Sequence, residues 1–388
     1  MKIAIVHDWL VTFAGAERVL AEMIECYPDA DVFAVIDFLK PSDRGFLKNK
    51  QVTTSWIQKL PAAHSHYQRY LPLMPLAMRQ LNLHGYDLVI SSSHAVAKGV
   101  RLAPHQLHVC MCYTPMRYAW DLRASYLKSA GLNTGIKGWL ANGLLERLRK
   151  WDYKTSQGVH HFIAISNYIA QRISSCYGRE SVVVYPPVDV ENFELKTSQP
   201  DNYFITASRL VPYKNVALMV QAFSHMPHQR LKVVGAGSEF EKCRALAGPN
   251  VEMLGFLPHA DLKAQIQNAK AFIFAADEDF GIAPLEAQAC GTPVIAYAKG
   301  GALETVRTEA RPSGLFFSET SEQSIVDAIS AFELKFFSAE DCRDNASKFS
   351  VSNFRKNFKA NIDLFWHQFQ QSLQNADANA NTQAKAMV

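Results

Sequence analysis

Along the chain, short runs of apolar and β-branched residues alternate with longer stretches whose apolar positions return every three or four residues. That alternation is the pattern of a parallel sheet whose strands are joined by crossover helices. It predicts strands at residues 2–6, 31–35, 86–90, 107–112 and 161–165, and a second series at 203–207, 231–234, 251–254, 271–274 and 293–297. Between the two series, Pro186 and Pro187 are followed by a polar stretch, 189–202, with no clear period, which reads as an interdomain linker. The predicted organisation is α/β throughout: a doubly wound domain over 1–190, a linker over 191–202 and a second doubly wound domain over 203–350. Residues 351–369 place Phe354, Phe358, Ile362, Phe365 and Phe369 on one side of a helix. A helix over 351–371 is therefore expected to pack back on the first domain, and the polar 372–388 to be disordered. Open sheets of this kind bind ligands just outside the carboxyl ends of their strands, so two in series predict a site in a cleft between facing domains.

Composition changes this picture little. The 388 residues, 48% hydrophobic and 20% charged, suit an ordinary globular protein of two domains. No apolar stretch approaches the roughly 20 residues of a membrane span, and the opening run Met1–Val6 is too short for a secretory signal, so a cytoplasmic protein is expected. Seven scattered cysteines argue against a disulfide framework or a zinc site. Residues 7–18 lack the GxGxxG spacing, which argues against a dinucleotide cofactor.

Charge adds more by region than in total. Residues 1–200 carry 22 Lys and Arg against 16 Asp and Glu, and between Asp43 and Asp121 the only acid is Asp87. In that interval Arg44, Lys48, Lys50, Lys59, Arg69, Arg79, Lys98, Arg101 and Arg117 predict a positive surface suited to an anionic partner. Trp56, Ile57, Leu60, Tyr67, Tyr70, Leu71, Met74 and Met78 are interleaved with them. Their spacing fits either a membrane-facing surface or packing on the domain's own core. No nucleic-acid-binding module accompanies the bases, so nucleic acid is not expected as a partner.

The strongest chemical signal is the run Glu278, Asp279, Phe280, Gly281, Ile282, Ala283, Pro284, Leu285, Glu286, which follows an apolar strand and leads into a helix with Pro284 in its first turn. Gly281 permits close approach of a ligand, and the free N–H groups of the helix start favour an anion such as a diphosphate. Glu278 at the strand end and Glu286 about one turn into the helix can each accept hydrogen bonds from neighbouring hydroxyls, as on a sugar. After the first strand of the second domain, Arg209 and Lys214 leave one strand-to-helix loop as two cations with no adjacent acid. Gly235 and Gly237 form a third loop able to come close to phosphate.

Taken together, Ser208-Arg209-Leu210 with Lys214 and Asn215, Gly235 and Gly237, and the Glu278-x7-Glu286 motif followed by Gly291-Thr292-Pro293-Val294 resemble the retaining glycosyltransferases of family 4, which have two Rossmann-like domains in the GT-B arrangement. His7-Asp8-Trp9-Leu10, Gly15-Ala16-Glu17-Arg18, Ser92-Ser93-His94 and Thr114-Pro115-Met116-Arg117-Tyr118-Ala119-Trp120-Asp121 resemble a bacterial mannosyltransferase subgroup. The resemblance implies a nucleotide sugar held mainly by the second domain and an acceptor bound by the first, with no metal and no cofactor. It implies that Arg209 and Lys214 bind the diphosphate, Glu278 the transferred sugar and Glu286 the ribose diol. Phe280, Gly281 and Ile282 would contribute backbone N–H groups, and Gly15 the first-domain loop that approaches the diphosphate. Many relatives have a histidine where Tyr113 stands before Thr114-Pro115, and His94 is the candidate to fill its role. Tyr113, Arg117 and Asp121 are the acceptor-side candidates.

The expectation that results is a retaining α-hexosyltransferase moving mannose from GDP-mannose to a lipid-diphosphate-linked saccharide in bacterial surface polysaccharide assembly, peripheral at the inner face of the cytoplasmic membrane. Two alternatives share the cleft: a non-hydrolysing nucleotide-sugar epimerase and a catalytically silent nucleotide-sugar-binding protein. Association with an anionic membrane surface is assigned to the basic stretch 44–117, together with Trp139, Leu140, Leu144, Leu148, Trp151, Lys137, Arg147, Arg149 and Lys150.

Overall fold

The computed structural model describes every residue except 122, 130, 133, 196–199, 387 and 388. The chain forms two compact units, Met1–Tyr185 with Phe354–Val388, and Pro186–Asn353.

In the first unit, β1 (Ile3–His7), β2 (Asp31–Ala34), β3 (Val52–Thr54), β4 (Leu88–Ser93), β5 (Leu107–Cys112), β6 (His161–Ala164) and β7 (Ser181–Val183) form one parallel sheet in the order β3-β2-β1-β4-β5-β6-β7. Strands β1, β4 and β5 are buried along their whole length, which is why they read as unbroken apolar runs. The order reverses between β1 and β4, the point where open sheets of this kind leave a crevice at their carboxyl ends.

In the second unit, β8 (Phe204–Ala207), β9 (Leu231–Val234), β10 (Val251–Gly255), β11 (Ala271–Phe274), β12 (Val294–Tyr297) and β13 (Gly314–Phe317) form a parallel sheet in the order β10-β9-β8-β11-β12-β13. Its reversal lies between β8 and β11. Its core joins Phe204, Phe223, Leu231, Val233 and Ile273.

Several expectations differ from what is seen. Edge strands β3, β7 and β13 were not predicted, because the first two are three residues long and only partly buried. Part of the expected linker packs on the second unit: Phe193 is buried, its carbonyl accepts from Arg343, and its ring lies against His259. Residues 196–199 of that linker lie outside the described residues. The last helix spans Val351–Ala386, past the expected end at 371. Residues 372–386 contain neither glycine nor proline and include five alanines, so polarity there does not oppose a helix. Phe354, Phe358, Ile362, Phe365 and Phe369 are all buried, each contributing roughly 1.5–3 kcal/mol.

The seven cysteines are free and buried. Among the described residues no helix is long and apolar enough to cross a membrane.

The basic stretch divides. Ile57, Met74 and Met78 lie in the first unit's core, and Trp56, Leu60, Tyr67, Tyr70 and Leu71 pack against it, so this set belongs to the domain interior. Lys98 is not a surface base. It is fully buried and ion-paired with Asp152, which also accepts from Trp120 Nε1 (2.9 Å) and the Tyr177 hydroxyl (2.7 Å). Arg44 and Lys48 pair with Asp37 and Glu25. Lys59, Arg69, Arg79 and Arg101 are exposed.

Candidate active site

In the second unit the predicted residues gather at the reversal point. The loop leaving β8 carries Ser208 to Val211, a single helical turn Pro212–Lys214, and Asn215, whose left-handed backbone (φ 54°) turns the chain into the helix Val216–Ser224. The Asn215 side-chain amide donates to the Ala275 carbonyl at 2.9 Å, tying this loop to the end of β11. That tie brings Lys214 onto Glu278, and the two form an ion pair, both side chains largely withdrawn from water. The sequence reading that no acid competes for these cations is thereby corrected. Glu278 is 64 residues away along the chain, but β8 and β11 are neighbours and their loops meet. The Lys214 ammonium also lies 5.4 Å from the Tyr213 ring and 5.9 Å from the Phe274 ring. Arg209 stays on the same loop, its guanidinium 3.5 Å from the Tyr213 hydroxyl.

Gly281 precedes the helix Ile282–Ala289, and Glu286 is its fifth residue, half-buried. Pro284 occupies the first turn, where a helix start leaves N–H groups without intrahelical acceptors. Phe280 is anchored by its ring, which meets Phe349 edge to face at 5.7 Å, leaving its backbone to line the loop. Behind the helix, Gln288 donates to the Pro284 and Thr305 carbonyls, and Asn345 donates to the Gln288 side chain and to Thr305. This buried set fixes the direction of the helix.

Glycine has a packing task here that the sequence did not show. A Cβ on Gly235 would sit 1.9 Å from the Ser208 carbonyl oxygen, so this glycine is required by the loop after β8. Gly300 and Gly301, after β12, were missed. Gly301 N–H donates to the Glu278 carbonyl at 2.7 Å, and a Cβ on it would meet the Phe280 backbone at 2.3 Å. The signal was available as a glycine pair directly behind a buried strand.

The first unit has its own cluster at the carboxyl ends of β1, β4 and β5. Asp8 is fully buried and accepts four backbone N–H groups: His94 (2.6 Å) and Ala95 (2.9 Å) on one oxygen, Val96 (2.6 Å) and Ala97 (2.6 Å) on the other. His94 Nδ1 lies 3.0 Å from the same carboxylate, and its ring stands edge-on to Trp9 at 4.7 Å. Burial outweighs the Asp8 charge and holds the His94 imidazole below its ordinary range, hence neutral near pH 7. Asp8, quoted in the sequence only as part of a motif, is the organiser of this loop.

Beneath it runs a buried polar chain. His7 Nδ1 meets Ser92 Oγ (2.8 Å), Ser92 Oγ meets the Tyr113 hydroxyl (2.7 Å), and that hydroxyl donates to the Ala16 carbonyl (3.1 Å). Glu17 accepts from the Ala14 N–H and lies 3.5 Å from His7 Nε2. Burial would raise the Glu17 carboxyl, but His7 and the backbone hold it below the usual range. The chain fixes the start of the helix Gly15–Cys26, where Gly15 lies. Tyr113 is thus a buried tie: its phenol, pushed far up by burial, is committed to Ser92 and Ala16 rather than presented to a ligand. Asp121 pairs with Arg172 of the helix Asn167–Tyr177. Two of the three acceptor-side candidates, Tyr113 and Asp121, are thus engaged within the first unit, and His94 is a partly exposed polar group at the strand ends.

Comparison with known proteins follows the same division. A family model described as "Glycosyltransferase Family 4" matches residues 13–192, and one described as "Glycosyl transferases group 1" matches 187–349. A GDP-mannose-dependent monoacylated alpha-(1-6)-phosphatidylinositol monomannoside mannosyltransferase of Corynebacterium glutamicum is 34% identical over 172 residues, 37% of this chain and 45% of the relative. The serotype-specific mannosyltransferase WbdA of Escherichia coli is 30% identical over 155 residues, 36% of this chain and 19% of the relative. The matched stretch thus spans less than half of either relative. Among solved structures, Anabaena Alr3699/HepE in complex with UDP superimposes with a TM-score of 0.64 at 19% identity, covering 94% of this chain and 100% of the other, a likeness of fold.

Proposed function

The chain belongs to glycosyltransferase family 4, with a fold of the GT-B type, and from that premise we propose that it is a retaining, metal-independent hexosyltransferase that uses a nucleotide sugar. The observation that carries this reading is the meeting of Lys214 and Glu278 between the ends of β8 and β11, beside the helix that bears Glu286. A diphosphate arriving there exchanges its charge for that of Glu278 on Lys214. The freed Glu278 carboxylate then accepts hydrogen bonds from the hydroxyls of the transferred sugar. Glu286, one turn further into the helix, takes the ribose diol. As the anomeric C–O bond breaks, charge grows on the leaving diphosphate, where Lys214, Arg209 and the N–H groups at Gly281 and Ile282 stabilise it. The departing phosphate oxygen takes the proton of the acceptor hydroxyl, and the neutral His94 holds the acceptor side.

The finer identity is proposed on similarity. Mannose and GDP are supported by the names of the relatives, one of which is GDP-mannose-dependent and acts on a phosphatidylinositol mannoside. The acceptor proposed from the sequence resemblance is a lipid-diphosphate-linked saccharide of bacterial surface polysaccharide assembly. The protein works at the cytoplasmic face of the membrane, held there by its exposed bases.

Two variants test the ligand assignment. Glu286→Ala is expected to weaken both the intact donor and the free nucleotide by about 10- to 100-fold, since both carry the ribose. Glu278→Ala should weaken only the intact donor, and should not weaken the free nucleotide, because it also releases Lys214. Calorimetric titration reads both. Equal losses for both ligands in both variants would remove the assignment.

A further inference from the structure

The helix Gly135–Ser156 buries Gly138, Leu148, Asp152 and Ser156 and leaves the opposite stripe uncovered. Along that stripe the first two turns present Ile136 (80% exposed), Trp139 (75%) and Leu140 (58%), three large apolar side chains at helical spacing. Further on the same stripe come Arg147, Lys150 and Lys154, all exposed, with Tyr153 beside them. Single exposed apolar residues are ordinary, but a contiguous apolar tip of three marks a contact surface. The helix's two acids are both paired. Asp152 is buried on Lys98, and Glu146 is held by Arg123 (3.0 Å) and Arg149 (2.8 Å).

We propose that this helix is the element through which the protein enters an anionic lipid surface, the apolar tip Ile136, Trp139 and Leu140 inserting at headgroup level and Arg147, Lys150 and Lys154 lying on the phosphates. The inference rests on the membrane location proposed above and relocates its apolar part. In the stretch Trp56–Met78 the aromatic side chains pack on the core, and its exposed large apolar side chains are Leu73 (41%) and Leu76 (52%), a smaller and less exposed set than the helix tip. Tryptophan at the tip suits the interface, where its ring is apolar and its N–H remains wet. A stripe that is apolar at one end and basic at the other, with its one acid, Glu146, neutralised by Arg123 and Arg149, matches an anionic bilayer in both respects. A second copy of the chain fits less well, since a two-fold contact along the whole stripe would set its Lys and Arg residues either against each other or against the other copy's apolar tip.

The full-length protein is floated with phosphatidylcholine vesicles with and without phosphatidylglycerol, at low and high salt. The parent is expected to bind the anionic vesicles. Ile136→Ser/Trp139→Ala/Leu140→Ser should lower the partition coefficient by roughly tenfold or more at either salt concentration. Arg147→Glu/Lys150→Glu/Lys154→Glu should lose binding at low salt, with thermal midpoints of both variants close to the parent's. Failure of the parent to bind any vesicle would overturn the membrane location itself. If the parent binds, an unchanged apolar variant alongside loss in Lys59→Glu/Arg69→Glu/Arg79→Glu would overturn the helix as the entry point while leaving the location intact. A parent that sediments as a dimer, made monomeric by the apolar substitutions with vesicle binding unchanged, would assign the stripe to self-association instead.

Discussion

Lys214→Ala is expected to lower kcat by about 10²- to 10³-fold while donor affinity changes by less than about tenfold. The argument follows from where the charge is needed. In the free protein Lys214 is already neutralised by Glu278, so the ground-state gain on binding a diphosphate is an exchange of one anion for another. The gain grows only as the leaving group takes on negative charge, and an interaction made chiefly in the transition state appears in kcat. The alanine variant also leaves Glu278 beside the diphosphate without its cation. Lys214→Ala/Glu278→Gln removes that repulsion and should recover donor affinity without recovering turnover. Steady-state kinetics with donor titration separates the two. A change confined to KM would make Lys214 a plain binding group.

Asp8→Ala should destabilise the first unit by about 3–5 kcal/mol, the largest loss expected from a side chain outside the hydrophobic core. One fully buried carboxylate satisfies four backbone N–H groups of the turn after β4, and alanine leaves all four without their acceptor. Asp8→Asn keeps one acceptor but turns an amide toward two of the N–H groups, so it should fall between parent and alanine. All six tryptophans lie in the first unit, so the fluorescence change on urea unfolding reports that unit directly. An unchanged midpoint would show that the turn does not depend on Asp8.

The buried central strands were legible in the sequence because a strand covered on both faces must be apolar along its length, as in residues 3–7, 88–93 and 271–274. Edge strands were not, since Val52–Thr54 and Ser181–Val183 are defined by pairing with one neighbour rather than by their own pattern. The candidate residues Arg209, Lys214, Glu278 and His94 could be placed at strand ends for the same reason. Their partners were not. The pairing of Lys214 with Glu278 depends on strand order, in which β11 lies beside β8 although β9 and β10 come between them in the chain. Tyr113 and Asp121 looked available for a ligand because nothing nearby in the sequence shows that Ser92, the Ala16 carbonyl and Arg172 take them. The surface reading failed at Lys98 in the same manner: this residue is basic in the sequence and interior in the fold, because Asp152 reaches it from a helix 54 residues on.

The most direct test of the account is transfer itself. The purified protein is incubated with GDP-mannose, UDP-glucose and related nucleotide sugars, each with and without a lipid-diphosphate-linked saccharide, in the presence of EDTA, with products identified by mass and anomeric configuration by NMR. The account predicts release of free nucleoside diphosphate only when acceptor is present, an acceptor heavier by one hexose, and an α linkage from an α-linked donor, undiminished by the chelator. A nucleotide sugar epimerised without acceptor, an inverted linkage, or activity that collapses in EDTA and returns with Mg²⁺ or Mn²⁺ would contradict it.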